Sequence, residues 1–464
     1  MRPLQYISTV LILIYSLFCN SVTKAQSSSP LRYLGTNLTS IHFIGDLHGD
    51  VNCAKEWVKE TKLVDFTTTP YTWIGESTDA IVFLGDYVDK GSTSSSVLSF
   101  VKDLQTTFVN NVVTILGNHD FFQVLDAALE YDEENPHPLG HPQHDYAYSF
   151  VHPEEYVTSG YSPKRDDDDE IMNAIYEALN FVYDRRLEGD VKLCTSESCM
   201  KNQDTNNADI FTSVPPFLDN EELATRARER LTTWRNEYMI GLHDSGLLHW
   251  MIEQPLIAIV GDTLLVHGGV APEIINYASK VAKSNEITVE DSLHNLVNKP
   301  FTTFFQQNLN GDEGRGANSI KSRLNEGYAF EIILSLIQDR GYFKQNGCQK
   351  VKNVIDQLQQ EKVNRICVGH TPRDYAEEFC NGQLLASDSS LSRSFRAYGN
   401  LYCPLDERFQ GGNGLACSQN RMVDQCEGSI SILTRKTPDE EWPRNVKTLT
   451  MNDLKQYVGL KDEF

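Results

Sequence analysis

Six short apolar runs recur along this chain, and each one breaks into Gly, Asp, Asn or His: SIHFIGDLHGD (40–50), AIVFLGDYVDKG (80–91), VVTILGNHD (112–120), AIVGDTLLVHGG (258–269), RICVGHTP (365–372) and QLLASDSSLS (383–392). Runs of four to six residues rich in β-branched side chains, followed at once by a loop, mark buried strands. The segments NCAKEWVKETKLV, SSVLSFVKDLQTTF and CQKVKNVIDQLQQE between them carry apolar residues at helical spacing. Alternation of this kind predicts an α/β fold. Such a fold collects its polar chemistry at the ends of strands, where α/β sheets hold ligands.

The residues at those ends have a common chemistry. Asp46 and His48 stand at i and i+2 and project the same way from an extended segment. One hard oxygen and one imidazole suit zinc or another transition metal. Asp86 ends the second run, where a carboxylate can bridge two cations, and Asn118 adds a neutral amide oxygen after the third. His267 and His370 add imidazoles after two later runs. A single buried histidine is ordinarily a hydrogen-bonded core residue, but that does not explain six oxygen and nitrogen donors on successive strand ends. Two metal ions ~3.5–4 Å apart hold a bridging hydroxide and clamp the attacking and leaving oxygens of an in-line displacement at phosphorus. They also bring the pKa of water to roughly 7, so no protein nucleophile is required. The leaving oxygen still needs a proton. His119, next to Asn118, is the expected general acid, and Asp89 is the carboxylate expected to orient it.

GDLHGD, GDYVDKG, GNHD, VHGG and VGHTP, in this order, resemble the calcineurin-like metallophosphoesterase superfamily. GHTP brings the chain nearer the phosphoprotein phosphatases. VGDTLLVHGG, QDRGYF and CNGQLLASDSSLSRSFRAYG resemble the Shewanella-like protein phosphatase branch. The resemblance covers about 41–124 and 241–399. It implies a four-layer αββα sandwich, with an inserted cap and a Cys-containing C-terminal extension added here. It implies Asp46, His48 and Asp86 at one metal ion and Asp86, Asn118, His267 and His370 at the other. The ions would be divalent or trivalent manganese, iron or zinc. His119 and Asp89 would form the acid pair, and Arg340 would grip the phosphate together with Lys90 and Asn118. The implied reaction is hydrolysis of phosphomonoesters on proteins, phosphotyrosine among them, by direct attack of the metal-bridging hydroxide.

The chain departs from that pattern at three places. Lys90 replaces the arginine of GDxxDRG, keeping the charge but losing the planar fork that holds two phosphate oxygens. Asp120 stands where phosphoprotein phosphatases have glutamate, and SDSSLS replaces DxGxS. The first two departures are expected to bear on substrate grip. Nucleotides or other small phosphate esters are the alternative substrates. A purple acid phosphatase needs tyrosine three residues after Asp86, where this chain has Asp89. Cys367 to Arg373 satisfies CX5R, the cysteine-phosphatase pattern, but Pro372 removes a backbone N–H from the phosphate loop. A non-catalytic binding protein on an enzyme scaffold is disfavoured by the complete ligand set.

The expected organisation is a core in two parts, 26–130 and 217–398, interrupted by a polar insertion or cap at 131–216 and completed by 399–460. The insertion carries His137, His141 and His144, an acidic run at 166–170, and Cys194 and Cys199. Residues 1–25 read as a signal peptide whose apolar stretch is too short to cross a bilayer. KDEF at 461–464 differs from the KDEL signal by one residue. Together they predict residence in the endoplasmic reticulum lumen with a KDEL-type retrieval receptor as partner, or else secretion. Asn37-Leu38-Thr39 is a glycosylation sequon suited to that compartment. A net charge of −23 disfavours nucleic acid and anionic membranes as partners. Cys53 and Cys367, in apolar segments, read as buried free thiols. Cys194, Cys199, Cys348, Cys380, Cys403, Cys417 and Cys426, in polar or Gly-rich segments, read as disulfide formers with one left over.

Overall fold

Alternation with a period of two decides which layer each strand residue meets. The strands, in chain order, are β1 (Ser40–Ile44), the short ribbon β2 (Val64–Asp65) and β3 (Thr72–Trp73), β4 (Asp79–Phe83), β5 (Val112–Thr114), β6 (Ile257–Val260), β7 (Thr263–Val266), β8 (Arg365–Val368), β9 (Glu377–Phe379), β10 (Leu384–Ala386), a second ribbon β11 (Leu401–Tyr402) and β12 (Ala416–Cys417), β13 (Ser429–Thr434) and β14 (Lys447–Thr450). This computed structural model describes residues 31–34, 37–128, 151, 155, 159, 161, 221–309, 328–393, 395, 401–402, 416–417, 426–443 and 446–450. Residues 1–25 and 461–464 lie outside the described residues. So do His137, His141, His144, the acidic run 166–170, Cys194, Cys199, Cys403 and most of the 131–216 stretch expected to be an insertion.

Two five-stranded sheets result, in the orders β14-β13-β1-β4-β5 and β6-β7-β8-β10-β9. Strands β1, β4 and β5 run parallel, with β5 at the sheet edge, and so do β7, β8 and β10. Antiparallel strands adjoin them: β13 beside β1 with β14 beyond it, β6 beside β7, and β9 beside β10. Ile41, Phe43, Ala80, Val82 and Val113 of the first sheet pack against Ala258, Val260, Leu265, Cys367 and Leu385 of the second. The alternate residues Ile44, Ile81, Phe83, Leu264, Val266, Ile366 and Val368 face outward into a second core. That core holds Trp57, Leu98, Val101, Leu336, Val351 and Val354 of the helices. Helix, sheet, sheet and helix therefore stack as four layers. Truncating Phe43, wholly buried between the sheets, to alanine would cost ~3–5 kcal/mol.

Helix Val51–Glu60 starts at Asp50, whose side chain accepts from the Cys53 N–H, and its apolar face is Cys53, Ala54, Trp57 and Val58. The second sequence stretch read as helical forms Ser94–Thr107, and the third forms Gly347–Gln357. Two expectations change. The single run 258–269 folds as the β6–β7 hairpin, with Gly261 at φ +61° supplying the left-handed turn residue. Cys53 is not a free thiol: it is bonded to Cys426, 373 residues away, because the chain entering β13 crosses the buried face of helix Val51–Glu60. Cys348–Cys380 is a second disulfide, whereas Cys367 is a buried free thiol. Crosslinks of this kind typically contribute ~2–4 kcal/mol, largely by restricting the unfolded chain. Among the described residues no helix is long and apolar enough to cross a membrane.

Candidate metal centre

Every expected ligand stands just past the end of a parallel strand, on the edge where the two sheets open together. Asp46 and His48 follow β1, Asp86 follows β4, Asn118 opens the helix after β5, His267 follows β7 and His370 follows β8. The donor atoms of Asp86, His267 and His370 lie within 4.8 Å of one another, and so do those of His48, Asp86 and His119. Asp86 belongs to both groups. Its Oδ2 is 3.2 Å from His267 Nε2 and 3.8 Å from His48 Nε2. Asn118 Oδ1 lies 3.2 Å from His267 Nε2 and 2.9 Å from His370 Nδ1. Asp46 stands just outside the His48 group, because its Oδ2 accepts the His370 N–H at 3.0 Å.

The far side of each ring shows what the near side is prepared for. His267 Nδ1 meets the Leu84 carbonyl at 2.6 Å, His48 Nδ1 meets Val88 O at 3.3 Å, and His370 Nε2 meets Gln338 O at 3.1 Å. A backbone carbonyl can only accept, so each ring donates there and turns its other nitrogen, with a free lone pair, into the cluster. That is the tautomer a metal-ligating histidine adopts. Asp46 Oδ1 is buried without a donor among the described residues. Burial, then the Asp388 and Asp86 carboxylates, raise the Asp46 pKa well above the usual range. Burial also disfavours the Asp86 carboxylate, yet His267, His119 and His48 outweigh it and hold its pKa well below the usual range. His48 is pushed down to about 3, by burial and then by the His119 charge. His370 is pushed down by burial, then by Arg340 and His267. Burial lowers the His267 pKa too, but Asp86 and the Leu84 carbonyl outweigh it and raise it, so this ring is held by negative charge where a cation would sit. Two rings kept neutral, a third facing Asp86, converging carboxylates and an orphaned oxygen fit a pair of cations. Three of these residues hold left-handed backbone, His48 at φ +39°, Asp86 at +51° and His370 at +63°. Each such residue costs ~1–3 kcal/mol, a strain that collects at functional sites. Gly117 leaves room for the bridge: a Cβ there would overlap Asp86 Oδ1.

His119 differs from the other three rings. Its Nδ1 faces not a carbonyl but the wholly buried Asp89 carboxylate, at 2.7 Å, while Nε2 lies 3.7 Å from Asp86 Oδ2. A carbonyl orients a ring, whereas a carboxylate also compensates its charge when the ring carries a second proton. The Lys90 ammonium sits 3.7 Å from Asp89 Oδ2 and 5.8 Å above the Phe395 ring, which stacks on His48. Arg340 is anchored by donating to the His370 carbonyl at 3.0 Å. Asp120, expected to touch substrate, instead accepts from the Tyr87 and Gly117 N–H groups, wholly buried beneath the Asp86 loop. Asp388 of SDSSLS was missed as a site neighbour. It is buried beside Asp46, and its position directly after a strand end was the available signal. Cys367 lies between the sheets with its thiol pushed up to about 12 by burial, which removes it as a nucleophile.

The calcineurin-like phosphoesterase family model matches residues 39–188. A symmetrical bis(5'-nucleosyl)-tetraphosphatase of Nitrosospira multiformis is 35% identical over 88 residues, 19% of this chain and 26% of that one. Shewanella-like protein phosphatase 1 of Plasmodium berghei is 30% identical over 117 residues, 24% of this chain and 30% of that one. The chain thus aligns with less than a third of the length of these curated relatives. Among solved structures, a cold-active protein-tyrosine phosphatase of a psychrophilic Shewanella species aligns with a TM-score of 0.41 and 16% identity, over 90% of this chain and 82% of that one. Residues 39–188 include the Asp46, His48, Asp86, Asn118 and His119 positions, so the likeness to the calcineurin-like phosphoesterase family falls on the first part of the site.

Proposed function

We propose that this chain is a binuclear metal-dependent phosphatase that hydrolyses phosphomonoesters, with phosphoproteins, phosphotyrosine included, as preferred substrates. The observation that carries the reading is the division among the four imidazoles. Three turn their far nitrogen to a backbone carbonyl and their near one towards Asp86 and Asn118, while His119 turns its far nitrogen to a second buried carboxylate, Asp89. Asp46, His48 and Asp86 would hold one ion; Asp86, Asn118, His267 and His370 would hold the other. Manganese, iron and zinc all suit this donor set. Bound there, the pair supplies Lewis-acid charge to the phosphoryl oxygens and an activated water.

The remaining chemistry belongs to the chain. His119 Nδ1 faces Asp89 Oδ2 at 2.7 Å, which leaves Nε2 at the edge of the cluster as the atom that would hand a proton to the leaving oxygen. Arg340, braced on the His370 carbonyl, orients phosphate, with Lys90 as a weaker point charge and the Asn118 amide alongside. The same proposal sets the protein in the endoplasmic reticulum lumen, with secretion as the alternative. The Cys53–Cys426 and Cys348–Cys380 bonds support an oxidising compartment.

A second reading, hydrolysis of nucleotides or other small phosphate esters, is favoured by the likeness to the tetraphosphatase. Rates of phosphate release from phosphotyrosine and phosphoserine peptides and from nucleoside di- and triphosphates, with manganese, iron and zinc in turn, separate the two. Faster release from the peptides is expected. Faster release from nucleotides would favour the second reading, and no metal-dependent release from any of them would overturn both.

A further inference from the structure

Helix Ser94–Thr107 follows the loop that carries Asp86, Asp89 and Lys90, and it begins in a run of natural capping residues, Thr93 to Ser96. Yet Thr93 gives the helix no side-chain cap. Its hydroxyl is already engaged, donating to Gly49 O at 2.6 Å and accepting from the Val51 N–H at 3.0 Å. The cap comes from Glu155, in the stretch that separates the two halves of the core. Glu155 Oε2 accepts from the Ser94 N–H at 2.7 Å, and Oε1 accepts from the Ser95 N–H at 3.0 Å and the Ser95 hydroxyl at 2.5 Å. Both Glu155 and Ser94 are wholly buried. A carboxylate at a helix N-terminus satisfies orphan donors and complements the helix dipole.

The contact does not end at the helix. Ser94 Oγ accepts the Asp89 N–H at 3.1 Å, and Asp89 in turn receives His119 Nδ1 at 2.7 Å. Asp89 and Lys90 hold consecutive left-handed conformations at φ +74° and +66°. Non-glycine residues persist there only when their surroundings over-determine them. The Glu155 clamp on Ser94 and Ser95 is one of the fixed points that keep this loop from relaxing.

We infer that Glu155 is a positioning residue: it fixes Ser94, and through Ser94 the Asp89 backbone, so that the Asp89 carboxylate meets His119 at hydrogen-bonding distance. This rests on the reading of His119 as general acid, and it gives the insertion a part in the chemistry. A cap that only stabilised the helix would leave the balance between substrates unchanged. A positioning residue alters it, because an alkyl ester such as a phosphoserine peptide needs the proton, whereas p-nitrophenyl phosphate has a leaving group that departs without one.

The test compares kcat/KM on these two substrates for the metal-loaded wild type, Glu155→Gln, His119→Asn and the double variant, with thermal melting as a check on folding. Glu155→Gln should lose roughly tenfold or more on the phosphoserine peptide and about twofold or less on p-nitrophenyl phosphate, and should add little to His119→Asn. If Glu155→Gln does not fold, Ser95→Ala, which removes only the hydroxyl contact, should shift the same ratio in the same direction. If His119→Asn is selective for the phosphoserine peptide while Glu155→Gln, or its substitute, loses equally on both substrates or on neither, this inference is overturned and the acid assignment stands. If His119→Asn shows no selectivity, the acid assignment fails and this inference fails with it.

Discussion

Replacing Asp89 by asparagine keeps the shape and an acceptor oxygen but removes the charge that faces His119. The carboxylate is wholly buried and its Oδ2 lies 2.7 Å from Nδ1, so solvent screens the interaction little. A hydrogen bond to a charged group contributes ~1.5–3 kcal/mol, and this one is worth most when the ring is doubly protonated, the form that delivers the proton. At ~1.4 kcal/mol per decade, Asp89→Asn should lower kcat on a phosphoserine peptide about 10- to 150-fold. Removing the acid itself with His119→Asn should cost about 10²–10⁴-fold. Both losses should shrink to a few-fold on p-nitrophenyl phosphate. The two residues act as one device, so the double variant should be hardly slower than His119→Asn alone. Steady-state kinetics on both substrates across the four proteins is the assay. Multiplicative losses, or equal losses on the two esters, would refute the acid pair.

Lys90→Ala should raise KM for phosphomonoesters by about tenfold or less, while Lys90→Arg should lower KM or leave it unchanged; unaltered kinetics in Lys90→Ala would make the lysine a bystander. His42 is buried on β1, and its pKa is lowered from 6.5 to about 4 by burial and then by Lys447. The unfolded chain therefore binds the extra proton first: stability is full above pH 6.5 and is lost as pH falls towards 4. At ~1.4 kcal/mol per pH unit the drop from 6.5 to about 4 sets an upper limit of about 3.5 kcal/mol. Denaturant titrations should show a shallower acid loss in His42→Thr, and an identical loss would count against the burial argument. Adding manganese or zinc at a hundredfold excess over Kd should raise the unfolding free energy by about 2.7 kcal/mol, an effect that Asp86→Asn should reduce. A melting temperature indifferent to both ions would argue against a built site.

The site was legible where chemistry and periodicity coincide. Asp46, Asp86, His267 and His370 each break a short apolar run, and a ligand at a strand end needs only local information to be seen. What failed were readings that depended on remote partners. Cys53 lies on an apolar helical face, and nothing nearby announces that Cys426 arrives there. Asp120 sits one residue from His119, yet helix geometry turns it inward to the Asp86 loop rather than towards substrate. Asp388 was obscured because SDSSLS departs from the pattern around it. Glu155 carries no signal in sequence, because its partners Ser94 and Ser95 lie some sixty residues earlier. Likewise 258–269 contains two strands of one hairpin, and the Gly261-Asp262 turn inside it was the cue.

The central claim is that these strand ends hold a pair of metal ions on which the reaction depends. The most direct measurement is the metal content of the purified, reconstituted protein after exhaustive dialysis, read by mass spectrometry beside phosphate release before and after chelation. The account predicts about two transition-metal ions per chain, fewer in Asp86→Asn and in His370→Ala, and activity that disappears with the metal and returns with it. Phosphate release that continues unchanged in protein stripped of metal would contradict it.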